Sequence, residues 1–230
     1  MKIHVIIPAG GSGSRFGQHE RKQFLTLEGR SLLYRVIQVF HNLPMVAQIL
    51  VPIPFDEFSR IHDNPESLYQ SEKINYVMGG RTRSVSVYQG FSHLINCDEN
   101  DVVLIHDAAR PLLTTDLINN VINATKEFGV AIPAIAISDT IKKVNDDDVV
   151  NATVTRNQLR AVQTPQGFLY KHLHKAYETL DFRDEKYTDE AMLMEEINVP
   201  VKIIEGDKEN LKITTPLDLI VAQEILKTRG

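Results

Sequence analysis

A single cysteine, Cys97, stands in a chain of 230 residues, so no intrachain disulfide can form. That scarcity fits a reducing cytosol. No uninterrupted apolar run approaches the ~20 residues that a membrane-spanning helix needs. The apolar start breaks at Pro8 without a cleavage-like end, so no secretory signal is read there and a cytoplasmic location is expected. Cations are in the minority: 25 Lys and Arg against 30 Asp and Glu give a formal net charge of −5. That balance argues against a nucleic-acid scaffold or a polybasic membrane binder. Any anion site must be a local concentration of Arg and Lys. Internal repeats, low-complexity segments and linker-like runs are missing, which leaves one domain over residues 1–230. His172 and His174 lie two apart and would point to different sides of a helix, so they form no metal site. No serine–histidine–aspartate spacing is suggested, and Cys97 has no activating partner visible in the sequence.

What remains is an ordinary globular composition, 43% hydrophobic and 24% charged, with material for a real core. The chain opens with Ile3, Val5, Ile6 and Ile7, a run fit for a buried strand, and then turns glycine-rich at Gly10, Gly11, Gly13 and Gly17. Such a loop brings backbone N–H groups close to a ligand and can cradle phosphates. Arg15 and Lys22 stand where a triphosphate would need cations. The dinucleotide fingerprint fails because Phe16 takes the place of its last glycine, and no Gly-Lys-Ser/Thr tripeptide closes a Walker A loop. A loop whose glycines serve turns alone is the competing reading; the cations directly after a buried strand weigh against it.

Downstream, apolar runs at 45–52, 74–78, 101–106 and 130–137 read as strands, alternating with helical patterns at 31–40, 84–95 and 115–128. A polar, helix-like stretch at 55–70 is interrupted by Pro65. Alternation of this kind predicts an α/β fold with a mostly parallel sheet and helices on both faces. Ligands of such sheets bind beyond the carboxyl ends of the strands, which gathers the loops after the first, third and fourth strands into one crevice. The rhythm breaks at Ser138. Two β-like runs separated by Asn145 and three aspartates predict a β-arm over about 138–156, or an ordinary edge hairpin. Helices follow at 170–180 and 188–197, a strand at 201–205, and a last helix opened by Pro216.

Four polar clusters fall at strand ends. The first is the glycine loop. The second, Gly79–Val87, sets Arg81, Arg83, Ser84 and Ser86 at a strand-to-helix junction, where they would read a base, hold an anion or simply cap a helix. In the third, His106–Pro111, Asp107 is placed either to hold Mg²⁺, which bridges phosphates, or to serve as a turn residue. Arg110 beside it has a fork that matches phosphate oxygens. The fourth pairs Arg156 with Lys212, each alone a surface cation. Many cations, one carboxylate and no evident nucleophile suggest phosphoryl or nucleotidyl transfer, in which the substrate supplies the nucleophile.

The motifs PAGGSGSRFG…KQF, GGxxRxxSV, HDAARP, SDTIK, TRNQL…QTPQGF, TDEA and NLKITTPLDL resemble, in order and nearly end to end, the 2-C-methyl-D-erythritol 4-phosphate cytidylyltransferase family. The resemblance implies a Rossmann-like sheet and a homodimer whose β-arm reaches into the neighbour's site. It also implies Mg²⁺-dependent transfer of CMP from CTP, with release of pyrophosphate, in the non-mevalonate route to isoprenoid precursors. It implies that Arg15 and Lys22, with the backbone of Gly10, Gly11 and Gly13, bind the CTP phosphates. Asp107 would serve Mg²⁺ and substrate, and Arg110 the methylerythritol hydroxyls. Pro8, Ala9, Gly79 and Ser86 would frame cytosine and ribose. Thr140 and Arg156 would be donated across the dimer, and Lys212 would clamp the acceptor phosphate. Three positions depart from the family pattern: Gly10 replaces an alanine, Arg21 a proline and Arg160 an aromatic. A ribitol 5-phosphate cytidylyltransferase is the sibling alternative, with HDAARP and TDEA favouring methylerythritol phosphate. A non-catalytic nucleotide-binding regulator would be expected to lack Lys22, Asp107 or Lys212, and Phe16 disfavours an NAD module.

Overall fold

A computed structural model describes residues 1–10, 25–58, 69, 71–183 and 186–229. The opening apolar run is strand β1 (Ile3–Ile6), wholly buried. A short pair, β2 (Thr26–Leu27) and β3 (Arg30–Ser31), leads into helix α1 (Leu32–His41). Ser31 starts that helix because its hydroxyl accepts the Tyr34 N–H at 3.1 Å, satisfying a donor that the first turn leaves unpaired. Then come β4 (Val46–Ile53), β5 (Ile74–Met78), α2 (Arg83–Ser92), β6 (Val102–Ile105), α3 (Thr115–Phe128) and β7 (Val130–Ala136). The expected helix at 84–95 starts one residue earlier, because Thr82 caps it by accepting the Val85 N–H. Of the 55–70 stretch, residues 55–58 are helical; 59–68 and 70 lie outside the described residues.

After β7 the chain forms β8 (Ile141–Val144) and β9 (Val150–Val154), then a 3₁₀ turn (Arg156–Gln158), β10 (Arg160–Val162), β11 (Gln166–Leu169), α4 (Tyr170–Thr179), α5 (Glu190–Glu196), β12 (Lys202–Glu205) and α6 (Pro216–Arg229). The sheet order is β10–β7–β11–β6–β1–β4–β5, with β12 also on β7. Strands β5, β4, β1 and β6 are mutually parallel, β11 runs antiparallel between β6 and β7, and β12 is parallel to β7. This is a mixed, mostly parallel α/β sheet. Helices cover both faces, and strand alternation decides which residue meets which layer. Val5, Ile49, Val51, Val102 and Leu104 pack with α1 and α3. Their neighbours Ile6, Leu50, Val103 and Ile105 pack with α2, α4 and α5.

The β8–β9 hairpin pairs only with itself among the described residues, and Val144, Val149 and Val150 are exposed on it. The Asn145 side chain turns it by accepting the N–H groups of Asp147 and Val149. Strands β10 and β11 are additions to the expected pattern. Helix α5 begins at Glu190 rather than 188, because Asp189 caps it through the Met192 N–H at 3.2 Å. No described helix is long and apolar enough to cross a membrane.

At the amino edge of the sheet Cys97 does meet a histidine and an aspartate, which its sequence neighbours did not disclose. His4 Nε2 is 3.2 Å from Asp101 Oδ2 and 3.5 Å from Cys97 Sγ. The Gln48 amide is bracketed by the Ile95 backbone and donates to His4 Nδ1 at 3.1 Å, so Nε2 carries the imidazole proton and gives it to Asp101. An imidazole in that tautomer cannot take the thiol proton. Burial pushes the Cys97 thiol up to about 11, and the trio is structural.

Candidate active site

The opposite, carboxyl edge gathers the loops after β1, β5, β6, β7 and β12. At one end of it, Gly10, Gly79, Gly80 and Ser86 close on one another. A Cβ at Gly10 would stand 2.9 Å from Ser86 Oγ, and one at Gly79 would stand 3.2 Å from the Ile53 carbonyl. Ser86 Oγ also accepts the Gly80 N–H at 3.1 Å and donates to the Thr82 carbonyl at 2.9 Å. Ala9 is buried and tied to the Pro52 carbonyl at 2.8 Å, with Pro8 half-buried before it. The expected phosphate-binding residues Gly11, Gly13, Arg15 and Lys22 lie outside the described residues, as does Arg21.

Asp107, two residues beyond β6, is the centre of the second half. Arg83 Nε reaches its Oδ1 at 3.1 Å and Lys212 Nζ its Oδ2 at 2.7 Å, with Arg110 Nε at 4.0 Å. Burial alone would raise the Asp107 pKa, but Arg83 and Lys212 outweigh it and hold the carboxyl well below the usual carboxylate range. Arg83 also binds Glu190 Oε2 at 2.7 Å. Burial pushes the Glu190 carboxyl up from its ordinary value, and Arg83 offsets this in part.

A buried relay fixes the Asp107 backbone. His106 Nε2 lies 3.1 Å from the Arg110 carbonyl, which can only accept, so that nitrogen holds the proton. Nδ1 therefore accepts from Thr164 Oγ1 at 3.0 Å, and Thr164 Oγ1 accepts the Asp107 N–H at 3.1 Å. His106 is neutral, its pKa pulled down to about 4 by burial. The loop that carries Lys212 is pinned from the same side. Gln163 brackets the Asp207 backbone, donating to its carbonyl at 2.8 Å and accepting its N–H at 3.1 Å. Asn210 Nδ2 donates to the Thr164 carbonyl, and the Ile213 N–H to the Ala109 carbonyl, both at 2.8 Å.

Arg110 is largely a strut. Its Nη1 donates to the Asn210 carbonyl at 2.7 Å, while its buried Nε has no hydrogen-bond partner. Arg83, Asp107, Arg110, Thr164, Gln166 and Lys212 are among the residues that wall a cleft of about 240 Å³. Thr140 and Arg156 do not line it. Both are exposed, Thr140 just before β8 and Arg156 in the 3₁₀ turn after β9, where its Nη1 donates to the Ser138 carbonyl. The structure brings the expected residues Asp107, Arg110 and Lys212 together, and Arg83, expected at the strand-to-helix junction to hold an anion or cap a helix, binds Asp107 and Glu190 instead; Glu190 is given no role from the sequence, and the polar start of helix α5 directly after TD is the available signal.

No group of three or more His, Cys, Asp or Glu side chains among the described residues is placed to hold a metal ion. Asp107 and Asp189 are the carboxylates on the cleft wall, and Asp189 is already engaged by the Gln166 amide and the Met192 N–H. That donor set fits Mg²⁺, which takes one or two carboxylates and completes its shell with substrate phosphates and water.

Residues 3–228 match the profile of the family described as 2-C-methyl-D-erythritol 4-phosphate cytidylyltransferase. The enzyme of that name from Alkaliphilus oremlandii is 40% identical over 229 residues, covering 99% of this chain and 96% of its own. The crystal structure of Francisella tularensis 2-C-methyl-D-erythritol 4-phosphate cytidylyltransferase superposes with a TM-score of 0.84 at 31% identity, over 97% of this chain and 99% of that one. That of Anaerococcus prevotii 4-diphosphocytidyl-2C-methyl-D-erythritol synthase gives 0.83 at 32%, over 98% and 96%. The chain belongs to the 2-C-methyl-D-erythritol 4-phosphate cytidylyltransferase family.

Proposed function

We propose that this chain is an enzyme that transfers CMP from CTP to 2-C-methyl-D-erythritol 4-phosphate and releases pyrophosphate. The observation that carries the reading is the carboxylate of Asp107 shared among Arg83, Lys212 and Arg110 beside a glycine-lined cradle, in a chain of this family. A phosphate oxygen of the acceptor forms the new bond to the α-phosphorus of CTP in line, while the bond to the pyrophosphate oxygen breaks. Lys212 Nζ exchanges Asp107 for the acceptor phosphate and offsets the negative charge that grows on the reacting oxygens. Gly10, Gly79 and Ser86, with Pro8 and Ala9, frame base and ribose. Arg15 and Lys22, with the amides of Gly11 and Gly13, hold the triphosphate. Mg²⁺, held by Asp107 with phosphate oxygens and water, would neutralise triphosphate charge when bound. Thr140 and Arg156 complete the site from the arm of a second copy in a homodimer, Arg156 against the acceptor phosphate. The reaction would run in the cytoplasm.

The test is pyrophosphate release from CTP and Mg²⁺ with methylerythritol 4-phosphate or ribitol 5-phosphate as acceptor. Release driven by methylerythritol 4-phosphate is expected. Release with ribitol 5-phosphate alone would keep the transfer and replace the acceptor; none with either acceptor would overturn the reading.

A further inference from the structure

Arg83 is oddly placed for a cation. It is the first residue of α2, directly after the cap Thr82, where the helix dipole repels positive charge. Two carboxylates hold it there, Asp107 on Nε and Glu190 on Nη1. They differ in kind. Asp107 faces the cleft, whereas Glu190 does not line it and its side chain is 1% exposed. Glu190 opens α5, where the dipole favours an anion, and the segment before it is tied down on both sides. Ser84 Oγ donates to the Tyr187 carbonyl at 3.1 Å, and Gln166 Nε2 to Asp189 Oδ2 at 2.8 Å. The second cation on Asp107 is built otherwise. Lys212 is 43% exposed against 27% for Arg83, and it is the group the proposed reaction asks to leave Asp107. An arriving phosphate is an anion too, and an untethered Arg83 would follow it.

We infer that Glu190 is a positioning residue: it anchors Arg83 so that Asp107 keeps a fixed counter-ion when Lys212 moves to the acceptor phosphate. A buried carboxylate is costly unless paired, and this pairing is what the cost sustains. The inference rests on the proposed transfer reaction for Lys212, but the Arg83–Glu190 anchor itself is measurable without turnover.

Glu190→Gln keeps the shape and an acceptor oxygen while removing the charge. Its acceptor KM is expected to rise about tenfold, the scale on which supporting residues act, with the melting temperature little changed. In an Arg83→Gln background the same substitution should add nothing, because the residue through which it acts is gone. Exchange of the Arg83 Nε proton with water, followed by NMR, should speed up in Glu190→Gln whether or not the enzyme turns over. An unchanged exchange rate overturns the inference. So does an acceptor KM that stays at the wild-type value while only the melting temperature falls, or an equal loss with and without Arg83. Wild-type protein that releases no pyrophosphate would instead sink the reaction assigned above, leaving the anchor to be decided by the exchange rate.

Discussion

Asp107 binds Lys212 at 2.7 Å and Arg83 at 3.1 Å, so removing either cation leaves the carboxylate with the other. Lys212→Ala should therefore fold normally, since the truncated side chain is 43% exposed and leaves no buried charge unpaired. Its turnover should fall by roughly 100- to 1,000-fold, the usual effect of losing one preorganised charge contact. Steady-state kinetics beside a thermal melt checks this: near-normal turnover would remove Lys212 from the chemistry. His106 behaves differently because its role is neutral. Its pKa is about 4 in the fold against 6.5 for the ordinary imidazole, and it is fully buried. The unfolded chain therefore binds a proton that the native state refuses. The stability that the neutral ring supports is intact above 6.5 and is lost as the pH falls toward 4. Between about pH 8 and pH 5 the loss from this residue should be about 2 kcal/mol. Urea unfolding of wild type and His106→Gln at both pH values isolates it: the wild type should lose its advantage on acidification, and a constant gap would mean that His106 takes up its proton equally in the folded and unfolded chains.

At the scale of elements, the packing of α3 on β11 depends on Gly167. A Cβ there would stand 2.1 Å from Thr125 Oγ1 and 2.9 Å from Val121 Cγ1, both side chains of the helix that covers the strand. Gly167→Ala should cost about 1–3 kcal/mol through overpacking, read as a lower denaturation midpoint at unchanged slope. An unshifted midpoint would show that helix and strand can part without cost. The same glycine explains why β11 escapes a reading from sequence. Four residues beginning Gln-Gly carry little strand preference, and an antiparallel strand between β6 and β7 interrupts an otherwise parallel rhythm. Elements whose own residues decide them were legible: the apolar run of β6, the amphipathic α3, and the arm turned by Asn145. The site divides in the same way. Asp107, Arg110 and Lys212 are visible because each follows a strand or sits in a recognisable run. Arg83 and Glu190 stand 107 positions apart, and only the fold shows that they touch.

For the whole molecule, the unresolved question in the site is one of reach. The cleft of a single chain has Lys212 at its wall, but Arg156 is exposed in the 3₁₀ turn that follows a hairpin whose strands pair with nothing but each other among the described residues, and it does not line that cleft. A residue so placed would complete the site if a second copy brought it. Two inactive variants can test that. In a heterodimer of Lys212→Ala with Arg156→Ala, an arm donated across the interface leaves one site with both substitutions and the other with neither. The intact site needs Lys212 from the Arg156→Ala chain and Arg156 from the Lys212→Ala chain. Mixing the two inactive proteins under conditions that exchange subunits should then restore CMP transfer. If Arg156 serves its own chain, each site in the mixed dimer keeps one lesion and activity stays absent. Recovery on mixing would thus establish both the assembly and the direction in which the arm is lent, while continued inactivity, with exchange verified by mass, would return Arg156 to the surface of its own subunit.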